Sequence, residues 1–293
     1  MESIGITMWQ WGRMELGLVL ACSLAAMSSV ACCGARPDEA PPARPPSVTN
    51  YGYKVVQAYP HDRRSFTQGL VYENGVLYEG TGLYGQSALI RRDLKTGRTL
   101  KTTRLPRRHF GEGITVFGDT IVQLTWKSKI GFVYRKDTFT LLKEFSYATE
   151  GWGITYDGKR LIYSDGTATL RFLDPNTFAK TGQMEVQDQG RPVHGLNELE
   201  YVAPPPSEVI DSQPGAAGPQ VFANVWPTDW IVIIDPKTGQ VTGRIDLSAL
   251  YPRPEDSEDV LNGIAWIPET NHLLVTGKLW PKVYEIELIE KTP

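Results

Sequence analysis

Five stretches of this chain repeat one layout. FGEGITVFGDTIVQLTWKSK, from Phe110, has counterparts in FTQGLVYENGVLYEGTGLYG, EGWGITYDGKRLIYSDGTAT, LNELEYV with QVFANVWPTDW, and LNGIAWIPETNHLLVTGKLW. Aligned on their first apolar run, they put Gly69, Gly113, Gly153, Glu198 and Gly263 in register, at spacings of 44, 40, 45 and 65 residues. Each unit reads as a hairpin: an apolar or alternating run, a turn such as ENG or YDGK, then a second apolar run. Units of this length that are built from strands cannot bury their faces alone, and they stack as the blades of a propeller. DLKTG, YRKDTF, LDPNTF and IDPKTG supply turns between the outer strands of the first four units.

The fifth unit shows only three strands, ending in KVYEIEL, whereas YGYKVVQAYP at Tyr51 is a lone strand ahead of the first unit. Pairing the two chain ends completes the last blade and removes open sheet edges. The expectation is an all-β, five-bladed β-propeller closed by its N- and C-terminal strands. The longest spacing has a local cause: VAPPPSEVIDSQPGAAGPQ inserts a Pro-, Gly- and Ala-rich surface loop between the first two strands of blade four.

Ahead of the repeats the composition changes. Arg13 precedes GLVLACSLAAMSSVA, a run too short and too weakly flanked for a membrane span, which reads as an export signal. Its end, SSVACCG, resembles a bacterial lipoprotein cleavage site with Cys32 as the lipidated residue, although Ser29 stands where an aliphatic residue is usual; ordinary signal cleavage is the alternative. Residues 1–33 are therefore expected to be a signal, 34–50 a Pro-rich linker and 51–293 the propeller. The protein is expected to be exported, whether periplasmic, membrane-anchored or secreted, and to act as a monomer. Cys22, Cys32 and Cys33 all lie in the leader, so the mature domain has no disulfide and no thiol nucleophile. A net charge of −3, with no Lys/Arg run, excludes a nucleic-acid footprint.

In a blade the first strand runs along the central axis and the second returns, so strand-one starts and strand-two ends open on one face. Gln68, Glu112, Trp152, Asn197 and Asn262 are expected to ring the axis at that mouth. Tyr84, Trp126, Asp165, Trp226 and Lys278 are expected to surround them. With Phe66 and Phe110 this is a carboxylate, an ammonium and amides among aromatic walls, suited to a small polar molecule. Taken singly, each has a bland explanation. The tryptophans could pack between blades, Glu112 could be solvated or paired with Arg, Lys278 could be a surface charge beside Trp280, and Asn197 could bond its own turn. The four histidines, His61, His109, His194 and His272, lack metal-ligand spacing. There is no GxSxG and no Gly-rich phosphate loop, and the Asp-rich turns fit ordinary turns better than calcium loops.

Taken together, HDRRSFTQGLVY, LYEGTGLYGQS, FGEGIT, LTWKSKIGFVY, EGWGITYDG, SDGTATLRFLDP, LNELEYV, FANVWPTDWIVIIDP, LNGIAWIP and VTGKLWPKVYEI resemble the plant and bacterial type of glutaminyl-peptide cyclotransferase, from about Tyr51 to Leu288. The resemblance implies a five-bladed propeller that converts N-terminal glutamine of peptides or proteins to pyroglutamate with release of ammonia, without metal or cofactor. By motif it implies catalytic roles for Glu112, Asn197 and Lys278, and a substrate pocket of Phe66, Gln68, Phe110, Trp126, Trp152 and Trp226. The blade-four insertion departs from the family pattern. Two rivals stand beside it: a non-catalytic propeller that binds peptides or small ligands at the same mouth, and a calcium-dependent lactonase-type hydrolase. The second would need several carboxylates at the axis, where only Glu112 and, less surely, Asp165 qualify.

Overall fold

The computed structural model describes residues 47–203, 218–252 and 257–291. The leader, Cys32, most of the proline-rich linker and residues 204–217 of the insertion lie outside the described residues. Among the described residues every named element is a strand. Strand β1 (Thr49–Pro60) stands alone in sequence. It is followed by the meander β2 (Thr67–Glu73), β3 (Val76–Thr81), β4 (Ala88–Asp93) and β5 (Thr99–Arg104). The next meander is β6 (Gly111–Phe117), β7 (Thr120–Thr125), β8 (Ile130–Arg135) and β9 (Leu141–Ser146). Then come β10 (Ile154–Tyr156), β11 (Leu161–Tyr163), β12 (Thr169–Leu173) and β13 (Lys180–Glu185), with a small hairpin of β14 (Gln187–Asp188) and β15 (Arg191–Pro192). The chain ends with β16 (Leu196–Val202), β17 (Gln220–Val225), β18 (Trp230–Ile234) and β19 (Val241–Asp246), then β20 (Leu261–Ile267), β21 (His272–Gly277) and β22 (Lys282–Glu290).

Three of these meanders are separate four-stranded sheets; the last two join in an eight-stranded sheet ordered β16-β17-β18-β19-β1-β22-β21-β20. The join is β1. It pairs antiparallel with β22 from Tyr51↔Glu290 to Pro60↔Lys282, so the N-terminal strand completes the C-terminal meander. Strand β1 begins at Thr49, ahead of the expected domain start, and that extra length lets Thr49–Tyr51 run parallel to Gly243–Ile245 of β19. The insertion falls between β16 and β17, whose stems meet at Val202↔Gln220.

The first strands touch in a closed circle, β2 with β6, β6 with β10, β10 with β16, β16 with β20, and β20 with β2. Contact this close needs backbones without side chains between them. A Cβ on Gly113 would lie 2.6 Å from the Trp152 carbonyl and 2.7 Å from Gly153 Cα, and the Gly113 N–H donates to that carbonyl at 2.7 Å. Glu198 takes the aligned glycine position in β16 and uses its side chain instead. Its two carboxyl oxygens accept from the Leu70 and Ile264 amides at 3.2 and 2.8 Å, which ties β16 to both β2 and β20.

Apolar side chains fill the spaces between successive sheets. Leu89, Ile114, Ile121 and Phe132 pack between the first two, and Leu124, Ile154, Leu161 and Tyr163 between the next. Leu70, Leu77, Ala265 and Leu274 close the circle between the last and the first. Each fully buried Leu or Ile contributes about 1.5–3 kcal/mol, so a chain without disulfides in its described residues is held by this packing.

Candidate active site

The register slips at the start of four first strands, between Thr67 and Gly69, Gly111 and Ile114, Leu196 and Leu199, and Leu261 and Ile264. A bulge leaves one residue out of the ladder and re-aims its side chain. Gln68, Glu112, Asn197 and Asn262 sit inside these bulges. Gln68, Glu112 and Asn197 turn their side chains to the cavity at this mouth from these positions, and Asn262 does not.

A cavity of about 1050 Å³ opens at this face. It is lined by Phe66, Gln68, Phe110, Glu112, Trp126, Trp152, Asn197, Trp226 and Lys278, so all nine residues named by the motif resemblance come together in one place. Three others expected there do not. Asp165 points away: its carboxylate takes Arg171 Nε at 2.8 Å and caps its own turn through Thr167, because the SDGT segment closes an Asx turn. Asn262 is fully buried behind the wall, where its amide donates to the Thr67 carbonyl at 3.0 Å and to Gln68 Oε1 at 2.9 Å. Tyr84 stands outside with half its surface exposed, its ring 5.4 Å from that of Phe110.

The bond from Asn262 has a consequence for the site. It occupies the Gln68 oxygen, which leaves the Gln68 amino group as a donor facing the cavity. Asn197 is buried, and among the described residues its side-chain oxygen has no partner, which removes the self-bonded turn as an explanation for it. Buried polar atoms are nearly always paired, and Asn262 Oδ1 is likewise without a partner among the described residues.

Glu112 and Lys278 are 4% and 7% exposed, which rules out a solvated carboxylate and a surface ammonium. Burial pushes the Glu112 carboxyl well above its usual range, Lys278 pulls it back, and Glu150 pushes it further up. Burial likewise lowers the Lys278 ammonium, against the charges of Glu112 and Glu258. Among the described residues neither group makes a side-chain hydrogen bond or a direct ion pair; Lys278 Nζ lies 4.8 Å from the centre of the Phe66 ring. Two opposite charges are thus withheld from water, biased toward their neutral forms, and left free to face a ligand.

The aromatic walls form an arc. Phe66 and Phe110 meet edge to face at 6.1 Å, Phe110 and Trp126 at 5.6 Å, and Trp152 and Trp226 at 5.7 Å. Beyond it, Asp229, Ser248, Tyr251, Pro252, Ser257, Glu258 and Val260 line the outer wall. Sequence reasoning missed this wall because it comes from the connections around β18 to β20, outside the repeat. It missed Glu150 too, which accepts both the Trp126 indole N–H at 2.6 Å and that of Trp152 at 3.1 Å. The acid two residues before Trp152 in EGWG was the available signal. Among the described residues, no three His, Cys, Asp or Glu side chains are grouped to hold a metal ion.

The family model for glutamine cyclotransferase matches residues 22–288. The chain is 42% identical over 241 residues to a glutaminyl-peptide cyclotransferase of Arabidopsis thaliana, an overlap of 80% of this chain and 71% of the relative. The crystal structure of Myxococcus xanthus glutaminyl cyclase superposes with a TM-score of 0.73 at 33% identity, covering 84% of this chain and 100% of the other.

Proposed function

The chain belongs to the glutamine cyclotransferase family, and on that footing we propose that it closes the N-terminal glutamine of peptides or proteins to pyroglutamate with release of ammonia, without a metal. The two halves of the eight-stranded sheet, counted as separate blades beside the three four-stranded sheets, support a five-bladed propeller as the proposed scaffold. The observation that carries the chemistry is the buried pair Glu112 and Lys278, facing one cavity among aromatic walls and making no side-chain hydrogen bond or direct ion pair among the described residues.

The reaction joins two ends of one residue. The α-amine nitrogen bonds to the side-chain amide carbon, the bond from that carbon to its NH2 group breaks, and ammonia leaves. Holding the glutamine folded removes most of the entropic barrier, which is the role assigned to Phe66, Phe110, Trp126, Trp152 and Trp226. The attacking amine must be unprotonated and, once bonded, must lose a proton that the leaving nitrogen gains. Glu112, whose proton affinity burial raises well above that of an ordinary carboxylate, accepts that proton and returns it to the departing group. As the amide oxygen gains charge, Lys278 and the amide groups of Asn197 and Gln68 supply donors, each worth about 2–4 kcal/mol when well aimed. A binding module has no use for a proton carrier buried opposite an ammonium, so the non-catalytic alternative fits the site less well.

The test is to incubate the mature domain with a Gln-initiated dipeptide and measure ammonia and the cyclised product, with and without a chelator. Equal rates in both arms support the assignment. Loss of activity on chelation overturns the metal-independent mechanism, and absence of product in both arms overturns the function. The leader carries a separate proposal, export with attachment through a lipidated Cys32. Cys32→Ser then moves the protein from the membrane fraction to the soluble one, and an unchanged distribution favours plain cleavage.

A further inference from the structure

We propose that Glu150 is a positioning residue of the cyclisation site, its carboxylate locking the Trp126 and Trp152 indoles into the single wall against which the substrate glutamine folds. The proposal rests on the cyclotransferase assignment above.

The arc of edge-to-face rings described above has one gap. Phe66, Phe110 and Trp126 make one run and Trp152 with Trp226 another, and no ring contact among the described residues links the two. Glu150 bridges that gap. Both indole N–H groups donate to the same oxygen, Oε2, at 2.6 and 3.1 Å, so one acceptor sets the angle and separation of two rings that belong to neighbouring sheets. Charge-assisted bonds of this kind are stronger than neutral ones and shorten accordingly, as the Trp126 contact does.

The acceptor is itself held in place. The segment from Tyr147 to Trp152 crosses from β9 to β10; its Tyr147 end is fastened to β7, and the Gly151 amide donates to the Trp126 carbonyl at 3.4 Å. The Tyr147 hydroxyl donates to the Thr125 carbonyl and accepts the Thr125 amide at 2.9 Å, and Thr149 Oγ1 donates to the Glu150 carbonyl at 3.0 Å. Gly151 follows because a Cβ there would lie 2.5 Å from the Tyr147 hydroxyl. The Trp126 and Trp152 amides donate to Phe110 and Ser164 carbonyls, both at 3.0 Å. Backbone and side chain are thus fixed at each of the three residues, the condition for a pocket that selects one conformer of a flexible substrate.

Its charge adds a second role. The charged groups that act on Glu112 are Lys278 and Glu150, and the charge of Glu112 in turn raises the neighbouring Tyr147 phenol. After burial and the opposing pull of Lys278, the repulsion of Glu150 is what remains to favour the protonated carboxyl. Removing that charge lets Glu112 lose its proton at lower pH.

Two variants separate these roles. Glu150→Ala deletes the bridge; Glu150→Gln keeps a carbonyl oxygen able to accept from an indole and removes the charge. With a Gln-initiated dipeptide, Glu150→Ala is expected to raise KM about tenfold or more and to shift the tryptophan emission of the substrate-free protein. Glu150→Gln is expected to keep KM within about threefold of wild type while moving the acidic limb of kcat/KM to lower pH. The proposal is overturned if Glu150→Ala leaves KM and emission as in wild type, or if both variants lower only the melting temperature while KM and the pH limb stay put. Should Glu150→Ala fail to fold, the pH limb of Glu150→Gln decides, and an unshifted limb counts against the proposal. Wild-type protein that makes no cyclised product would instead overturn the cyclotransferase assignment; the emission of the substrate-free variants then decides the positioning role alone.

Discussion

Two buried glutamates on neighbouring blades show how differently this fold treats the same side chain. Glu79, in β3, is fully buried and saturated. His61 Nε2 lies at 3.0 Å and Arg92 Nε at 2.9 Å, and the Thr67 and Ser65 hydroxyls donate at 2.8 and 3.2 Å. Burial alone would raise its pKa, but the charges and hydrogen bonds of His61 and Arg92 outweigh burial and hold it at about 2. Glu112, in β6, is 4% exposed and makes no side-chain hydrogen bond among the described residues, and burial drives it the other way. The first carboxylate is spent on architecture. His61 Nδ1 also meets the Trp280 carbonyl at 2.8 Å, and the Leu279 amide donates to the Ser65 carbonyl at 2.8 Å, so the cluster fastens the loop that carries Lys278 to the first blade. The second is without such a bond among the described residues, and it is the carboxylate to which the proposed mechanism assigns the proton transfer. A fully paired buried network rigidifies, whereas an unpaired buried charge marks a functional site.

The contrast is broken most directly at Glu112. Glu112→Gln is expected to cut turnover on a Gln-initiated dipeptide by about 10² to 10⁴ with no fall in melting temperature, because no hydrogen bond of the fold is lost. Near-normal turnover in this folded variant would remove Glu112 from the mechanism. Glu79→Gln should do the reverse. It leaves Arg92 buried with only the more distant Asp62 carboxylate, at 4.0 Å, as a counter-charge and is expected to cost about 3–5 kcal/mol, seen as a fall in melting temperature of about 6–15 °C. Turnover per folded molecule should drop far less than for Glu112→Gln, and a Glu79 variant as stable as wild type would show that the cluster does not brace the fold.

Lys278→Met keeps the apolar stem and deletes the ammonium. It should lower turnover by about 10² with little change in melting temperature, and Lys278→Arg should recover little of it, since a planar guanidinium does not fit the place of a compact ammonium. A Met variant retaining more than about half the wild-type rate would exclude a transition-state contact.

The smallest expected effect is a pH dependence that sharpens the comparison. Glu79 has a folded pKa of about 2, below its ordinary 4.5, so its stabilisation is present above about pH 4.5 and is lost as pH falls toward 2. Glu112 has a raised folded pKa, so it favours the folded state while protonated and contributes less as pH rises past its unfolded value. The stability gap between wild type and Glu79→Gln, followed by denaturant unfolding, should therefore narrow on acidification below about pH 4.5. A gap that widened there would mean that Glu79 is not held ionised.

Some of this was legible before any coordinates. The recurrence of an apolar run, a turn and a second apolar run placed most strands, because hairpins are local and their periodicity is written in consecutive residues. The lone YGYKVVQAYP was matched to the three-stranded last unit by counting, and β1 does pair with β22. Aligning the repeats also brought Glu112, Asn197 and Lys278 to one face, since equivalent positions in equivalent units share a direction. Asp165 shows the limit: it occupies a strand-two end like its counterparts, yet the local Asx turn and Arg171 capture it.

The sequence by itself determined the strands, their grouping into units and the face on which the polar exceptions gather, because these follow from local pattern repeated in register. Only the tertiary structure decided which carboxylates are satisfied. Glu112 precedes the aligned glycine of a first run and Glu79 lies within a second run, which gives them different places in the unit but says nothing of which one finds partners. Their difference arises from Arg92, His61 and Trp280 in one case and from Lys278 and Glu150 in the other, groups brought together across blades. Electrostatic environment depends on distance through space and on exclusion of water, and both exist only once the ring of sheets has closed.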